Sequence, residues 1–316
     1  VAHQHGQDLR FGFDLDTSRF SGTLSVDSRL DLNPVIAGLQ TQQETVETDP
    51  IVVFGVPPRI HASITLRENM QFDHARFSVR TGPLTVRGAK FDSLSAEGTV
   101  DTQHVEAARI RLEKERRAIT ARIEYERDTG NYRCIANGDL QPSDLTPAMR
   151  EWWSHLWAPF RFSDHPLEID VDIQSNLRTH QLRWFFGRLA ANDLQYRDLS
   201  FTRLQTKAWI VENFVELFDL QARRPEGDVS GVMRWIFRDG APIARTVDVD
   251  TEIEIADFAF MLDDDIGNVV SEITTSAPPK MKISGYQSAP DSGWAHRRDL
   301  SVQASTDAAL TAFGYP

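Results

Sequence analysis

Residues 166–173 run Pro166-Leu167-Glu168-Ile169-Asp170-Val171-Asp172-Ile173. Leu167, Ile169, Val171 and Ile173 alternate with Glu168, Asp170 and Asp172. Side chains of an extended strand leave on opposite faces in turn, so this octet has one apolar and one charged face. The pattern returns in residues 247–255, where Val247, Val249, Ile253 and Ile255 alternate with Asp248, Asp250, Glu252 and Glu254. It returns again where Ile119, Ala121, Ile123 and Tyr125 alternate with Thr120, Arg122 and Glu124. Strands buried on both faces would be continuous apolar runs instead. The alternation therefore predicts a mainly β fold, a long antiparallel sheet with one wet face. Turn signals fall between these segments at short spacing: Asp128-Thr129-Gly130-Asn131, Arg238-Asp239-Gly240 and Thr81-Gly82-Pro83.

Helical signals are few. Residues 143–160 carry the best one, with Thr146 as the expected N-cap, Pro147 in the first turn, and Met149, Trp152, Trp153, Leu156 and Trp157 at three-to-four spacing. Residues 33–43 and 257–273 are the other two candidates.

An internal repeat organises the rest. At an offset of 110 residues, Val86-Arg87 falls on Tyr196-Arg197, Phe91 on Phe201, Leu94 on Leu204 and Ile110 on Leu220. Asp31-Leu32-Asn33-Pro34 pairs with Asp139-Leu140-Gln141-Pro142, and each precedes an expected helix. A partial third copy begins near Arg245 and leads to Pro278-Pro279 and a further strand. The expected segments are 1–56 as the end of one repeat, 57–165 and 166–277 as two repeats, and 278–316 as the start of another. Three short helices cannot cover the apolar side of so long a sheet. The sheet either curls closed as a barrel with a side-chain core, or stays open as a groove or half-barrel able to take apolar chains. Stacked repeats favour the open form.

The composition bounds the function. The 316 residues hold 34 Lys+Arg against 46 Asp+Glu, a net charge of −12, which argues against a nucleic-acid partner. Hydrophobic residues make up 41%, enough for a substantial core. The single Cys134 excludes an intrachain disulfide and a cysteine-based metal site. No apolar run approaches the roughly 18–20 residues of a membrane helix, and the termini look like cuts within a longer chain.

Chemistry-bearing motifs are absent: there is no G-x-S-x-G elbow, P-loop, G-x-G-x-x-G or H-E-x-x-H. His3-Gln4-His5 suits a frayed end, and Asp263-Asp264-Asp265 lacks the spacing of a calcium loop. The acidic ladders at 168–172 and 248–252 are expected to be the wet sides of strands. No enzyme activity, cofactor or metal is expected. Trp184-Phe185-Phe186 and Trp209-Ile210-Val211 put bulk on both faces of their strands, which a single core does not need.

The segment from Asp198 through Leu204, Glu212 through Ala222, and Glu226-Gly227-Asp228-Val229-Ser230-Gly231 resembles the repeated β-unit of AsmA-like envelope proteins, a family that includes TamB-type, bridge-like lipid-transfer proteins. Gly88 through Ala96 is its counterpart one repeat earlier. The earlier copy departs from the pattern, with Glu113-Lys114-Glu115-Arg116-Arg117 in place of the glycine-rich turn. The resemblance implies a periplasmic protein, anchored in the inner membrane through a segment outside this chain, and serving outer-membrane homeostasis. It implies a long curled sheet whose apolar groove holds or conducts phospholipid acyl chains between membranes. The expected groove wall is Leu167, Ile169, Val171, Phe201, Phe214, Leu217 and Leu220. Strand parity leaves the inward face open, because Phe214 and Leu217 differ in parity. Two other readings stay open at this point: an envelope scaffold that binds proteins at its sheet edges, and a carbohydrate-active β-enzyme.

Overall fold

A computed structural model describes residues 2–4, 7–36, 52–148, 154, 157–179, 181–238, 241–262, 272–288 and 298–312. The protein is mainly β, with antiparallel strands, few short helices and no closure into a barrel. It divides into two compact units, one of residues 1–154 and 170–183, the other of residues 155–169 and 184–316.

The first unit is a meander. Its strands are β1 (Ala2–Gln4), β2 (Gln7–Asp16), β3 (Ser21–Ser28), β4 (Val52–Phe54), β5 (Arg59–Arg67), β6 (Gln71–Thr81), β7 (Leu84–Val86), β8 (Ala89–Phe91), β9 (Ser93–Asp101), β10 (His104–Lys114), β11 (Arg117–Glu126) and β12 (Asn131–Leu140). The main sheet runs β2, β3, β5, β6, β9, β10, β11, β12, each antiparallel to the next. Short β1 pairs with only the first residues of β2. β4, β7 and β8 form a separate small sheet. Its Leu84, Ala89 and Phe91 make a buried cluster with Leu94, Leu112 and Leu145, which closes one end of the main sheet's apolar face.

The second unit repeats the plan. β13 (Phe160–Phe162) pairs with β15 (Leu182–Tyr196), followed in order by β16 (Leu199–Val211), β17 (Phe214–Arg223), β18 (Asp228–Arg238), β19 (Ala241–Thr251), β21 (Lys280–Ser288) and β22 (Arg298–Ser305). β14 (Leu167–Asn176) has its first three residues in this unit, and β20 (Ile273–Thr275) pairs with β23 (Leu310–Ala312). Helix α2 (Ile255–Leu262) follows β19, and its Phe258 lies in a buried cluster with Leu194, Phe201, Val229, Val249 and Ile253.

The helices differ from expectation. Helix α1 spans Pro142–Leu145, capped by Gln141, whose side chain and backbone both exchange bonds with Asp144, and Thr146–Ala148 is a turn of 3-10 helix. The chain therefore turns helical four residues before Thr146, because Gln141 and Asp144 form a capping box around Pro142 in the first turn, a signal that the aromatic spacing downstream masks. Residues 149–153, 155–156, 37–51 and 263–271 lie outside the described residues, so the middle of each expected helix does too. Phe160, the expected last helical residue, begins β13.

Two β-bulges keep the apolar residues in phase. In β10, Ala108 and Arg109 together oppose Arg122 of β11, so Ala107 and Ile110 both stay on the apolar face despite their three-residue spacing. In β17, Phe218 and Asp219 oppose Val232 of β18, so Leu217 and Leu220 do the same. Asp219 takes the left-handed conformation there, φ 51°, which Asp tolerates better than most residues. The bulges lie 110 residues apart. Arg87 and Arg197, also 110 apart, share positive φ in their turns.

A cation at the end of the bulged strand holds each short helix. Lys114 lies 2.7 Å from the buried Asp144 of α1, with Arg117 at 3.3 Å on the other carboxylate oxygen. In the second unit Arg224, again 110 residues on, lies 3.0 Å from Asp257 of α2 and stacks over the Phe201 ring at 5.8 Å. The charged turn at residues 113–117 thus has a structural role: its cations dock α1.

Asp144→Ala should lower stability by about 2–4 kcal/mol in urea unfolding, less than a fully buried broken pair because Lys114 keeps some contact with water. Gly231 sits at φ 147° opposite Val249, and an added Cβ would fall 2.2 Å from the Asp248 carbonyl oxygen. Gly231→Ala should cost about 1–3 kcal/mol. Gly12→Ala, which meets only the Ser25 side chain, should stay within about 0.5 kcal/mol of the parent.

Candidate functional site

Strand register assembles a continuous apolar face on the first unit. One row crosses eight strands through Phe13, Leu24, Ile64, Ala75, Val100, Val105, Tyr125 and Tyr132. The next row is Phe11, Val26, Ala62, Phe77, Gly98, Ala107, Ile123 and Cys134. A third carries Ile60, Val79, Ala96, Ile110, Ala121 and Ala136. Nearly all of these side chains are half-buried by their neighbours in the sheet. On the outermost strand, Phe11 and Phe13 remain 63% and 54% exposed. The opposite face is charged, with ion pairs such as Arg133–Asp172 at 2.6 Å and Arg122 held by Glu106 and Glu124.

In the second unit the matching face is graded. Under α2 and the Trp157–Phe160–Phe162 aromatic cluster, with ring centroids 5.7 and 5.8 Å apart, it is a closed core. Toward the β16–β17 and β18–β19 turns, Ile210, Val215, Leu217, Met233 and Trp235 are only half-buried.

The expected wall residues take three kinds of place. Leu167, Phe201 and Leu220 are buried, with Phe201 only 2% exposed in the α2-covered core. Ile169 packs against that same core, and Val171 is buried in the first unit. Leu217 is half-buried on the apolar face, opposite Ala208 and Met233. Phe214 is on the other face, edge-on to Trp209 at 5.8 Å. The bulge explains the parity conflict: it moves Leu217 into phase with Leu220 and leaves Phe214 outside.

Phe214 belongs to a patch on the outer face. Phe186 and Trp209 are register partners, 44% and 43% exposed, and Phe218 lies 6.1 Å from Phe186 with Lys207 above its ring. This is where the consecutive aromatics of the sequence put their extra bulk. The acidic ladders are on wet faces: Glu168, Asp170, Asp248, Asp250 and Glu252 are exposed. His5 and residues 263–265 lie outside the described residues.

Of the expected wall residues only Val171 falls within the first unit, buried beside Asp172, whose side chain pairs with Arg133 on the charged face, and the open apolar rows contain none of the others. The signal of these rows was available in Leu94, Ala96, Gly98 and Val100, which alternate with Ser95, Glu97 and Thr99, but the small residues made it faint.

Cys134 reports on this face from within. Burial pushes its thiol up from the ordinary range, with a smaller push from the Asp172 carboxylate. The thiolate is the reactive form, so reaction with a disulfide reagent should rise with pH later than that of free cysteine, with a midpoint above about 8.5. Stopped-flow absorbance over pH 7–11 checks this, and unfolding in urea should restore the ordinary midpoint.

No protein-family model, curated protein or solved structure matches this chain.

Proposed function

We propose that the apolar face of the first unit holds phospholipid acyl chains, as part of a non-enzymatic cell-envelope protein that carries lipid between membranes. The observation that carries this reading is the set of apolar rows across eight antiparallel strands, closed at one end by the Leu84–Phe91 cluster and only half-buried elsewhere among the described residues. An apolar surface of this breadth is unusual on a monomeric protein and marks a contact with something apolar. The resemblance to the AsmA-like β-unit points the same way and adds the periplasmic, membrane-anchored setting.

The physics suits a chain more than a compact ligand. Each methylene that leaves water for the sheet contributes about 0.8 kcal/mol. The rows repeat across the strands, so neighbouring positions offer similar contacts and a chain can move along them without a large barrier. No polar group is needed to fix its place.

Saturated fatty acids of increasing length should bind the purified protein with affinity rising about fourfold per methylene, read by displacement of a fluorescent acyl probe. Organic extraction followed by mass spectrometry should recover phospholipid. Ile64→Asp, in the middle of the open rows, should cut acyl-probe affinity at least tenfold while circular dichroism stays β-type. Protein that carries no lipid and shows no chain-length dependence would refute the reading.

A further inference from the structure

The other face of the first unit carries a second feature, independent of acyl-chain binding. A hollow of about 580 Å³ opens there, bordered by Arg80, Arg109, Arg111 and Arg122, with Glu97 as its one lining carboxylate. The sheet register sets its geometry. Arg80 of β6, Ser95 of β9, Arg111 of β10, Thr120 of β11 and Asn137 of β12 are successive partners along one rung. Strands lie about 4.8 Å apart, so Arg80 and Arg111 stand about 10 Å from each other across Ser95. On the next rung the β10 bulge places Ala108 and Arg109 together against Arg122. Ala108 is exposed and contributes only a methyl group, so the space between the two arginines stays open.

The hollow has many donors and few acceptors. Arg111 uses its Nε to bind Glu113, which leaves its two terminal nitrogens. Arg122 meets both Glu106 and Glu124 through Nη2, which leaves Nε and Nη1. Arg109 meets Glu97 through Nη1 alone, and Arg80 makes no ion pair among the described residues. Thr120 donates to Asn137 Oδ1 at 2.5 Å, so the Asn137 amide nitrogen stays available as a donor. The carboxylates of Glu106, Glu113 and Glu124 hold their arginines from outside the lining. Spare guanidinium N–H groups around an open space match the oxygens of a phosphoryl group, which arginine binds in bidentate fashion. Four arginines line the hollow against the single lining carboxylate Glu97, while Glu106, Glu113 and Glu124 pair with Arg122 and Arg111 from its rim, so what the site offers an anion is its remaining N–H donors and not an excess of charge.

We propose that this hollow is a binding site for a phosphoryl oxyanion, a phosphomonoester, phosphodiester or pyrophosphate group. Arg80 and Arg111 grip it from one rung, and Arg109 and Arg122 from the next. The test uses the full chain. Inorganic pyrophosphate titrated calorimetrically at low ionic strength should bind saturably, one per chain, and sodium chloride at matched ionic strength should give no such heat. Arg80→Gln and Arg111→Gln should each weaken binding at least tenfold. Ala108→Glu should abolish it by filling the hollow with a carboxylate, and the urea midpoint should not change because Ala108 is exposed. Flotation with phosphatidylglycerol vesicles, against phosphatidylcholine alone, identifies the source of the group. Flotation lost in Ala108→Glu assigns a lipid headgroup, and pyrophosphate binding without flotation assigns a soluble phosphoester. Absence of both, or binding that survives all three substitutions, overturns the proposal.

Discussion

A β-strand sends side chains up and down in strict alternation, and a sheet with one dry face can tolerate no lasting error in that count. One extra or missing residue puts every following apolar group into water. The bulges at Ala108–Arg109 and Phe218–Asp219 show how this protein meets the constraint. Each absorbs one residue, and the apolar run resumes in phase on the far side. The face beneath α2, the open rows of the first unit and the position of the arginine hollow all depend on those corrections. In β10 the correction also creates a feature: the residue it inserts is the one that leaves room between Arg109 and Arg122.

Much of the fold is legible in the sequence because alternation is a local signal. Residues 167–173, 247–251 and 119–125 fall within strands, whereas the last residues of the 247–255 ladder leave the sheet and Ile255 opens α2. Phase is less legible. Nothing in Phe214-Val215-Glu216-Leu217-Phe218-Asp219-Leu220 marks which residue is extra, so Phe214 and Leu217 look equally eligible for the inner face. Only the pairing with β16 and β18 decides between them. Burial is hidden in the same way. Leu167 and Phe201 have the alternation of a groove wall, but α2 or its neighbouring aromatics cover that part of the sheet, and a helix's packing partner is not written in its periodicity. The wider open surface uses Ala, Gly and Val beside Phe and Ile, a low-contrast pattern that becomes a face only when eight strands align.

The two units solve one problem to different degrees. Both carry a bulged strand, a cation at its end and an acidic residue on a short helix that this cation holds. In the second unit the helix brings Phe258 down onto Val229, Val249 and Ile253 and seals the core. In the first, among the described residues, α1 and the small sheet of β4, β7 and β8 seal only the end, around Leu84 and Phe91. Among the described residues, the same local design thus accompanies a packed interior in one case and a half-buried apolar face in the other, and the difference lies in how much covering structure the capping element supplies.

The meander also has a consequence for how the protein acquires its structure. Nearly every strand pairs with a neighbour in sequence, so most loops to be closed are short and each closure carries a small entropy cost. A β protein built this way has low contact order for its class, and the sheet can grow hairpin by hairpin from any starting pair. What sequential growth cannot correct is a hairpin that forms with its bulge displaced by one residue, since later strands would add to the wrong face. The left-handed Asp219 and the open backbone at Gly231 across from Leu220 confine that choice to one place in β17, and so act as a checkpoint on assembly as well as a detail of the finished sheet.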